Sequence, residues 1–312
     1  MGFDHTPVMP DKVRRHLNLK PGDICVDGTM GGCGHAFKMA ESVFPTGRLI
    51  CIDQDMDAIT HGQEKLKPFG SSVSVFHDNF SNLRSILDDL NISGVDGILL
   101  DLGLSLHQLR KSTRGFSFLK DEHLDMRMDT GSSLTAADLV NTLKEKELAD
   151  LFFKYGEEPM SRRIARAVVA ARTRAFLNSS KTLAEIVKHA VPVKIAVKMK
   201  IHPATRVFQA LRIAVNKEID QLEAFLTHLP DYLNRGGRIC VISFHSLEDR
   251  MVKHSFRSFE QGCTCPRDFP KCVCGFKQKL KLISKKPFMA DKDEIQINPM
   301  ARSARMRVAE RI

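Results

Sequence analysis

The stretch from Asp23 to Asp55, DICVDGTMGGCGHAFKMAESVFPTGRLICIDQD, leaves this chain few choices of fold. An apolar run, Ile24-Cys25-Val26, ends at Asp27 and opens into Gly28, Gly31, Gly32 and Gly34. A helix of about ten residues is expected next, and a second apolar run, Leu49 to Ile52, ends at Asp53. Strand, glycine turn, helix, strand, acid is the outline of a nucleoside-cofactor pocket at the C-terminal edge of a mainly parallel sheet. Glycines let the backbone approach a ligand without a Cβ clash. The acid ending the second strand can accept hydrogen bonds from both ribose hydroxyls.

An acid at Asp27, inside the loop, would repel a pyrophosphate, so the pattern favours a ligand that joins a ribose to a cationic part. S-adenosyl-L-methionine, with its amino group, carboxylate, sulfonium and adenosine, meets that requirement. The glycines alone would equally serve a tight βα turn. Asp53, and a further apolar run ending in an acid at Val95 to Asp101, weigh against that plainer reading.

At 312 residues the chain is long enough for one large core and a second module. Lys plus Arg 47 against Asp plus Glu 37 gives a net charge of +10, a balance that suits a polyanionic partner without fixing the fold. With no Trp and two Tyr, broad stacking of aromatics on bases is not an obvious theme. No apolar stretch reaches a membrane span and the first residues lack a secretory core, so a cytoplasmic protein without membrane contact is expected. Cys25, Cys33, Cys51 and Cys240 fall in or beside expected strands and the glycine loop, and read as small buried residues of a reducing compartment.

The βα rhythm continues with helices over 56–66 and 80–90, a strand over 73–76 and a fourth strand at Val95–Asp101. It then stops until Gly236-Gly237 introduces a strand at Arg238–Ser243. The gap reads as helical, with segments beginning at Thr135 and spanning 144–155, 161–174 and 180–190. The fold class expected is therefore α/β, a Rossmann-like core with an inserted all-helical domain. The core is assigned to 1–104 and 204–312, the insertion to 105–203 as a substrate-recognition domain, and 204–228 to one long returning helix. Leu280–Ser284 and Met306–Ala309 would close the sheet as antiparallel partners.

Arg162, Arg163, Arg166, Arg172 and Arg174 recur along one segment, with Ile164, Ala165, Val168 and Val169 supplying its buried side; Lys181, Lys188, Lys194, Lys198 and Lys200 follow. Such groups would hold RNA through its phosphates, or simply form a solvated face. Arg110, Lys111, Arg114 and Arg127 follow the fourth strand, where substrate enters a pocket of this kind.

Several segments carry a closer likeness: His5-Thr6-Pro7-Val8, Val26-Asp27-Gly28-Thr29, Asp101-Leu102-Gly103 with Ser105 and Gln108, Arg114-Gly115-Phe116-Ser117-Phe118 and Leu124-Asp125-Met126-Arg127-Met128-Asp129. Tyr155-Gly156-Glu157-Glu158, Ser161 to Ala165, Ala204 to Ile213 and Ile242 to Arg250 complete the set. Together they span nearly the whole chain, which resembles the bacterial family of small-subunit ribosomal RNA cytosine-N4 methyltransferases. The resemblance implies a class I S-adenosyl-L-methionine-dependent enzyme. It would methylate the exocyclic amine of a cytidine in the decoding region of 16S rRNA, on an assembled or nearly assembled small ribosomal subunit. Asp27, Cys33, Gly34, His35, Asp53, Phe80, Asp101 and Gln108 would then contact the cofactor, and a homodimer stays open. Cys33 stands where the family usually has a further glycine, and a negative φ is expected there so that a backbone contact survives. Glu122-His123 replaces the usual glycine-proline, which puts the local loop shape in doubt.

Asp101 is the expected catalytic group. A cytosine N4 lone pair is delocalised into the ring, so methyl transfer needs in-line positioning and an acceptor for the amine proton. Asp101 would take that proton or only orient the amine; capping the next turn or holding the cofactor amine is the plainer alternative. No aromatic platform follows Asp101, so Phe116 or Phe118 would confine the base, which would first be turned out of its helix. Arg114, Arg127, Arg162, Arg163, Arg166 and Arg206 would take the RNA. His245, across the cleft from Asp101, would contact a phosphate, relay a proton, or be a buried partner of Glu248 or Asp249. Cys263, Cys265, Cys272 and Cys274 form a compact CxC, CxC cluster that could enclose zinc, though the spacing is tighter than usual and a metal-free loop is the alternative. Asn298 to Arg305 would touch RNA or form a basic turn. An amine methyltransferase acting on DNA, and a non-catalytic RNA-binding assembly factor, are the competing functions.

Overall fold

The computed structural model describes residues 7–262, 265, 269–271 and 274–312. In chain order its elements are α1 (Pro10–Leu17), β1 (Ile24–Asp27), α2 (Gly34–Val43), β2 (Arg48–Asp53), α3 (Met56–Lys65), β3 (Val73–His77), α4 (Leu83–Asp89) and β4 (Val95–Asp101). Then come α5 (Leu106–Arg110), α6 (Ala136–Thr142), α7 (Glu145–Gly156), α8 (Ser161–Arg172), α9 (Ser180–Ala190), α10 (Val193–Ala196), α11 (Thr205–Asn216) and α12 (Glu218–Tyr232). The chain closes with β5 (Leu233–Ser243), α13 (Ser246–Glu260), β6 (Leu280–Leu282), β7 (Phe288–Met289), α14 (Lys292–Ile297) and β8 (Arg305–Arg311).

Two compact units result, Met1–Gly103 with Ile219–Ile312, and Leu104–Glu218. The boundary expected at 203/204 thus lies at 218/219. The cause is local: the expected single helix over 204–228 is broken at Lys217, whose φ of 51° is left-handed and ends α11. α11 buries Val207, Phe208 and Leu211 in the core of the helical unit. α12 buries Leu222, Phe225, Leu226 and Leu229 in the core of the sheet unit.

In the sheet unit the strand order is β3-β2-β1-β4-β5-β8-β6, with β7 also pairing β8. β1 pairs in parallel with both β2 and β4, and β3 and β5 extend the parallel set outward. β8 runs antiparallel between β5 and β6. Because β2 and β4 flank β1, the crossovers leave in opposite directions, and the switch point opens at the carboxyl ends of β1 and β4. Those strands are nearly continuous in apolar residues because both faces are covered. Ile50, Ile98 and Leu100 face one buried cluster with residues of α4, α12 and α13; Leu49, Cys51 and Leu99 face the other with residues of α1, α2 and α3.

The helical unit packs Leu148, Phe152, Ile164, Val168, Leu183, Val187 and Leu211 around Leu124 and Met126. Asn216 at the end of α11 accepts from the Met128 N–H (2.7 Å) and donates to the Met126 carbonyl (2.8 Å), tying the irregular stretch before α6 to the last helix. The Glu122-His123 departure keeps this loop ordered: the Glu122 carboxylate accepts from the Gly115 N–H (3.1 Å) and its own N–H donates to Ser180 (3.1 Å).

Candidate active site

Asp27, Asp53 and Asp101 end β1, β2 and β4, so three carboxylates meet on one edge of the sheet unit. Between β1 and α2 the loop turns tightly, with Gly31 at φ 47°, the Met30 N–H donating to the Ile52 carbonyl (3.1 Å) and the Cys33 N–H to the Met30 carbonyl (2.8 Å). A Cβ on Gly34 would lie 2.9 Å from the Pro7 ring, so only glycine admits the N-terminal strap there. Cys33 overturns its expected backbone: φ is 61°, left-handed, in a fully buried residue. The thiol has room because Gly62 of α3 lacks a side chain; a Cβ there would sit 3.2 Å from Cys33 Sγ. Lys65 Nζ donates to the Gly32 carbonyl (3.1 Å) and holds the loop from outside.

Asp53 Oδ2 accepts from the Gly31 N–H (2.8 Å) and Oδ1 from the Asp55 N–H (2.9 Å). Asp27 Oδ1 accepts from the Thr29 N–H (3.2 Å), and the Asp101 N–H donates to Thr29 Oγ1 (2.6 Å), so Thr29 links the two acids. His35, buried in the first turn of α2, places Nε2 3.7 Å from Asp101 Oδ2. Phe80 is buried and meets Phe225 edge-on at 5.7 Å. Gln108 belongs to the helical unit, where its Oε1 accepts from the Ser105 N–H (3.0 Å) in a capping box.

Burial dominates the electrostatics. It raises Asp27 from 3.8 to about 7, beyond what the Thr29 N–H lowers, with the Asp53 charge adding to the rise. It raises Asp53 to about 6 against the N–H groups of Asp55 and Gly31. Asp101 is pushed well above the carboxylate range by burial first, then by the charges of Asp27 and Glu248. Asp27 Oδ2 and Asp101 Oδ1 are buried and accept no hydrogen bond among the described residues. Buried polar atoms are rarely left so. The donor set they call for is cationic, which S-adenosyl-L-methionine supplies and a pyrophosphate does not.

The expected RNA contacts divide. Arg114 is buried, donates from Nη1 to the Arg127 (3.1 Å) and Met128 (2.9 Å) carbonyls, and lies over Phe116 at 5.7 Å. Arg127 grips Asp125 with Nε (2.8 Å) and Nη2 (2.7 Å), and donates Nη1 to the carbonyls of Thr130 (2.9 Å) and Ser132 (2.5 Å). Both arginines hold the loop together instead of presenting charge outward. Phe116 is a core residue and offers no face to a base; Phe118 is half-buried, stacked on His202 at 4.6 Å and against Phe208 at 5.1 Å. Arg162, Arg163 and Arg166 are exposed on α8, and Arg206 is half-buried. His245 is half-buried and caps α13, with Nδ1 accepting from the Glu248 N–H (3.4 Å) and Nε2 3.2 Å from Glu248 Oε1. It follows β5, whose Ile242 pairs directly with Asp101. Asp249 is the partner of Arg307 (2.7 Å) and Arg305 (3.1 Å), so ion pairs fix both arginines at the start of β8, where the basic stretch ends.

Of the cysteine cluster, Cys265 is half-buried and Cys274 exposed, while Cys263 and Cys272 lie outside the described residues, as do His5 and Thr6. Sequence reasoning missed Thr29 as the link between the acids, although it stands within the Val26–Thr29 motif. It also missed an amide set beside Phe80, where Asn79 Nδ2 donates to Gln54 Oε1 (3.2 Å) and Gln221 Oε1 (2.9 Å). Gln54 follows Asp53 and Asn79 precedes Phe80, a proximity that was the available signal.

The sequence model of the MraW methylase family matches residues 2–312. Over 312 residues, the chain is 64% identical to a protein named ribosomal RNA small subunit methyltransferase H from Desulforapulum autotrophicum, covering 100% of both chains. It is 50% identical to the protein of the same name from Desulfosudis oleivorans, again over 312 residues and 100% of both. With the one from Geobacter sulfurreducens the identity is 49% over 312 residues and 100% of both.

Proposed function

Because the chain belongs to the MraW methylase family, we propose that it is an S-adenosyl-L-methionine-dependent methyltransferase acting on small-subunit ribosomal RNA. The target is the exocyclic N4 amine of a cytidine in the decoding region of 16S rRNA, presented on an assembled or nearly assembled subunit. The observation that carries the chemistry is Asp101: a half-buried carboxylate at the switch point of the sheet whose buried Oδ1 accepts no hydrogen bond among the described residues.

When bound, the cofactor supplies an electrophilic methyl group on a cationic sulfur. Asp53 would accept the ribose hydroxyls, and Phe80 would line the adenine side. Asp27 and Asp101 neutralise the positive end. Asp101 Oδ1, open to a further donor, would accept one N4–H of the cytosine and so orient the amine for transfer. Asp101 would take the proton that the amine sheds on methylation, or pass it to water. His35 Nε2 lies 3.7 Å from Oδ2, beyond hydrogen-bond distance, and places a ring nitrogen beside the Asp101 carboxylate. Alignment of this kind is worth several kcal/mol of barrier. On the helical unit, Arg162, Arg163, Arg166 and Arg206 supply phosphate contacts.

The test offers methyl-labelled S-adenosyl-L-methionine with small subunits, free 16S rRNA and duplex DNA in parallel. Label at a cytidine N4 of the subunit is expected. Label in DNA overturns the RNA assignment, and tight cofactor binding with no transfer to any RNA identifies a non-catalytic assembly factor.

A further inference from the structure

From Ile186 to Lys217 the chain has no Asp or Glu, and carries five lysines and two arginines. Inside this run the helical unit turns apolar side chains to solvent. Val193 is 77% exposed, Val197 80%, Ile201 47% and Ile195 43%. Lys194, Lys198 and Lys200, all exposed, stand among them. Single exposed aliphatics are ordinary; four within nine residues form a patch that expects a partner.

The segment is held in a defined shape. The Pro192 carbonyl accepts from the N–H groups of Ile195 (2.8 Å) and Ala196 (2.9 Å), and the Val193 carbonyl from Val197 (3.0 Å). Ala196 and Met199 turn inward against the core, so the outward set is fixed by the inward one. At its end His202 stacks on Phe118 at 4.6 Å and its Nδ1 accepts from the Ala204 N–H (3.2 Å).

Charge selects a polyanion as the occupant. A membrane surface would call for apolar and basic residues on opposite faces of a longer helix. Here they alternate along four-residue α10 and the turns after it. That interleaving suits RNA, whose phosphates take the ammonium groups while aliphatic side chains press on base faces or wedge an opened step.

We propose that residues 193–201 form a wedge-and-clamp surface for an unstacked stretch of the substrate RNA, the valines and isoleucines meeting bases and the three lysines meeting phosphates. The proposal rests on the rRNA methyltransferase reading above. It makes the surface selective for RNA that is already distorted, because apolar wedging costs least where stacking is already broken.

Two variants test it in the full-length protein. Lys194→Gln/Lys198→Gln/Lys200→Gln removes the clamp, and Val193→Ser/Val197→Ser removes the wedge at positions exposed enough to leave the fold intact. Small-subunit binding is measured across salt concentration, with KM for subunit and for cofactor, binding to anionic phospholipid vesicles, and sedimentation velocity. The lysine variant is expected to flatten the slope of log affinity against log salt by about two to three. The serine variant is expected to raise the subunit KM about tenfold, the equivalent of about 1.4 kcal/mol, with the salt slope unchanged. Cofactor KM and kcat should hold in both. If the wild type labels subunits and both variants keep its KM and slope, this surface is wrong and the methyltransferase reading stands. A loss confined to vesicle binding, or to self-association, with subunit KM unchanged, overturns it in favour of a lipid or a second copy. A wild type that labels no RNA overturns the underlying reading and this surface with it.

Discussion

At the edge of the sheet unit, Asp27 Oδ2 and Asp101 Oδ1 are buried without a hydrogen bond among the described residues. In the helical unit Asp125, just as much a motif acid, gives both oxygens to Arg127. Burial pushes all three acids toward the neutral form, yet only Asp125 ends below the ordinary carboxylate value, because the hydrogen bonds and charge of Arg127 outweigh its burial. Buried charge is costly unless paired. A fold that leaves it unpaired in one place and pairs it completely in another is separating chemistry from architecture, although the two motifs look alike in sequence.

The sharpest way to break this contrast is Asp101→Asn. The amide keeps the shape and removes the acceptor charge, so kcat is expected to fall about 10²- to 10⁴-fold, with cofactor affinity changed far less. Activity within threefold of the wild type, by initial rates on small subunits, would make Asp101 a cap and not a participant.

Next comes pH, where the two units should behave oppositely. Asp27 has a folded pKa of about 7 against 3.8, so the folded protein holds a proton that the unfolded chain has lost. That contribution is fully present below about 4 and disappears as pH rises through about 7. Asp53 follows the same sign, up to about 6. Asp125, whose pKa is lowered, contributes stability above the ordinary value that is lost as pH falls. Asp27→Asn in the cofactor-free protein should therefore stabilise at pH 8 by an amount on the order of a few kcal/mol, and hardly at pH 4. Cofactor affinity should climb between about pH 6 and 7 as the acids ionise. Denaturant midpoints that move the other way would refute the assignment.

Arg127→Met carries the comparison into the helical unit. It strips the half-buried Asp125 carboxylate of its partner, while the exposed Thr130 and Ser132 carbonyls turn to water, at a cost of about 1 to 3 kcal/mol in urea unfolding. Activity per folded molecule should hold, and a selective loss of RNA affinity at intact stability would return Arg127 to the interface.

The sheet side was legible because its signals are local. Ile24–Asp27, Leu49–Asp53 and Val95–Asp101 are apolar runs closed by an acid, and both the period and the endpoint lie within seven residues. What escaped depends on distance. Nothing in Arg114 or Arg127 says that each will be consumed by backbone carbonyls, and Asn216 finds Met126 and Met128 only after the helical unit has closed. The break at Lys217 carries no glycine or proline to announce it. The left-handed Cys33 was hidden for a related reason, since its tolerance is written at Gly62 of another helix. Cys33→Val, which adds a branched Cβ at positive φ, should cost about 2 kcal/mol more than Cys33→Gly by thermal melting. Equal melting points would mean that the loop relaxes freely.

The smallest expected effect separates two arginines of one helix. α8 buries Ile164, Ala165 and Val168 and turns Arg162, Arg163 and Arg166 outward. Arg166 already lies 3.5 Å from Glu145, an exposed pair worth about 0 to 1 kcal/mol. Arg162 has no such ion pair among the described residues. If α8 meets RNA through phosphates alone, Arg162→Gln should weaken subunit binding a few-fold, reduce the salt slope by about one and leave the choice of target unchanged. Arg166→Gln should do the same less strongly, because the phosphate must first draw the guanidinium from Glu145. The reverse ranking would mean that the Glu145 pair orients Arg166 for its contact, and that pairing in this unit serves binding as well as architecture.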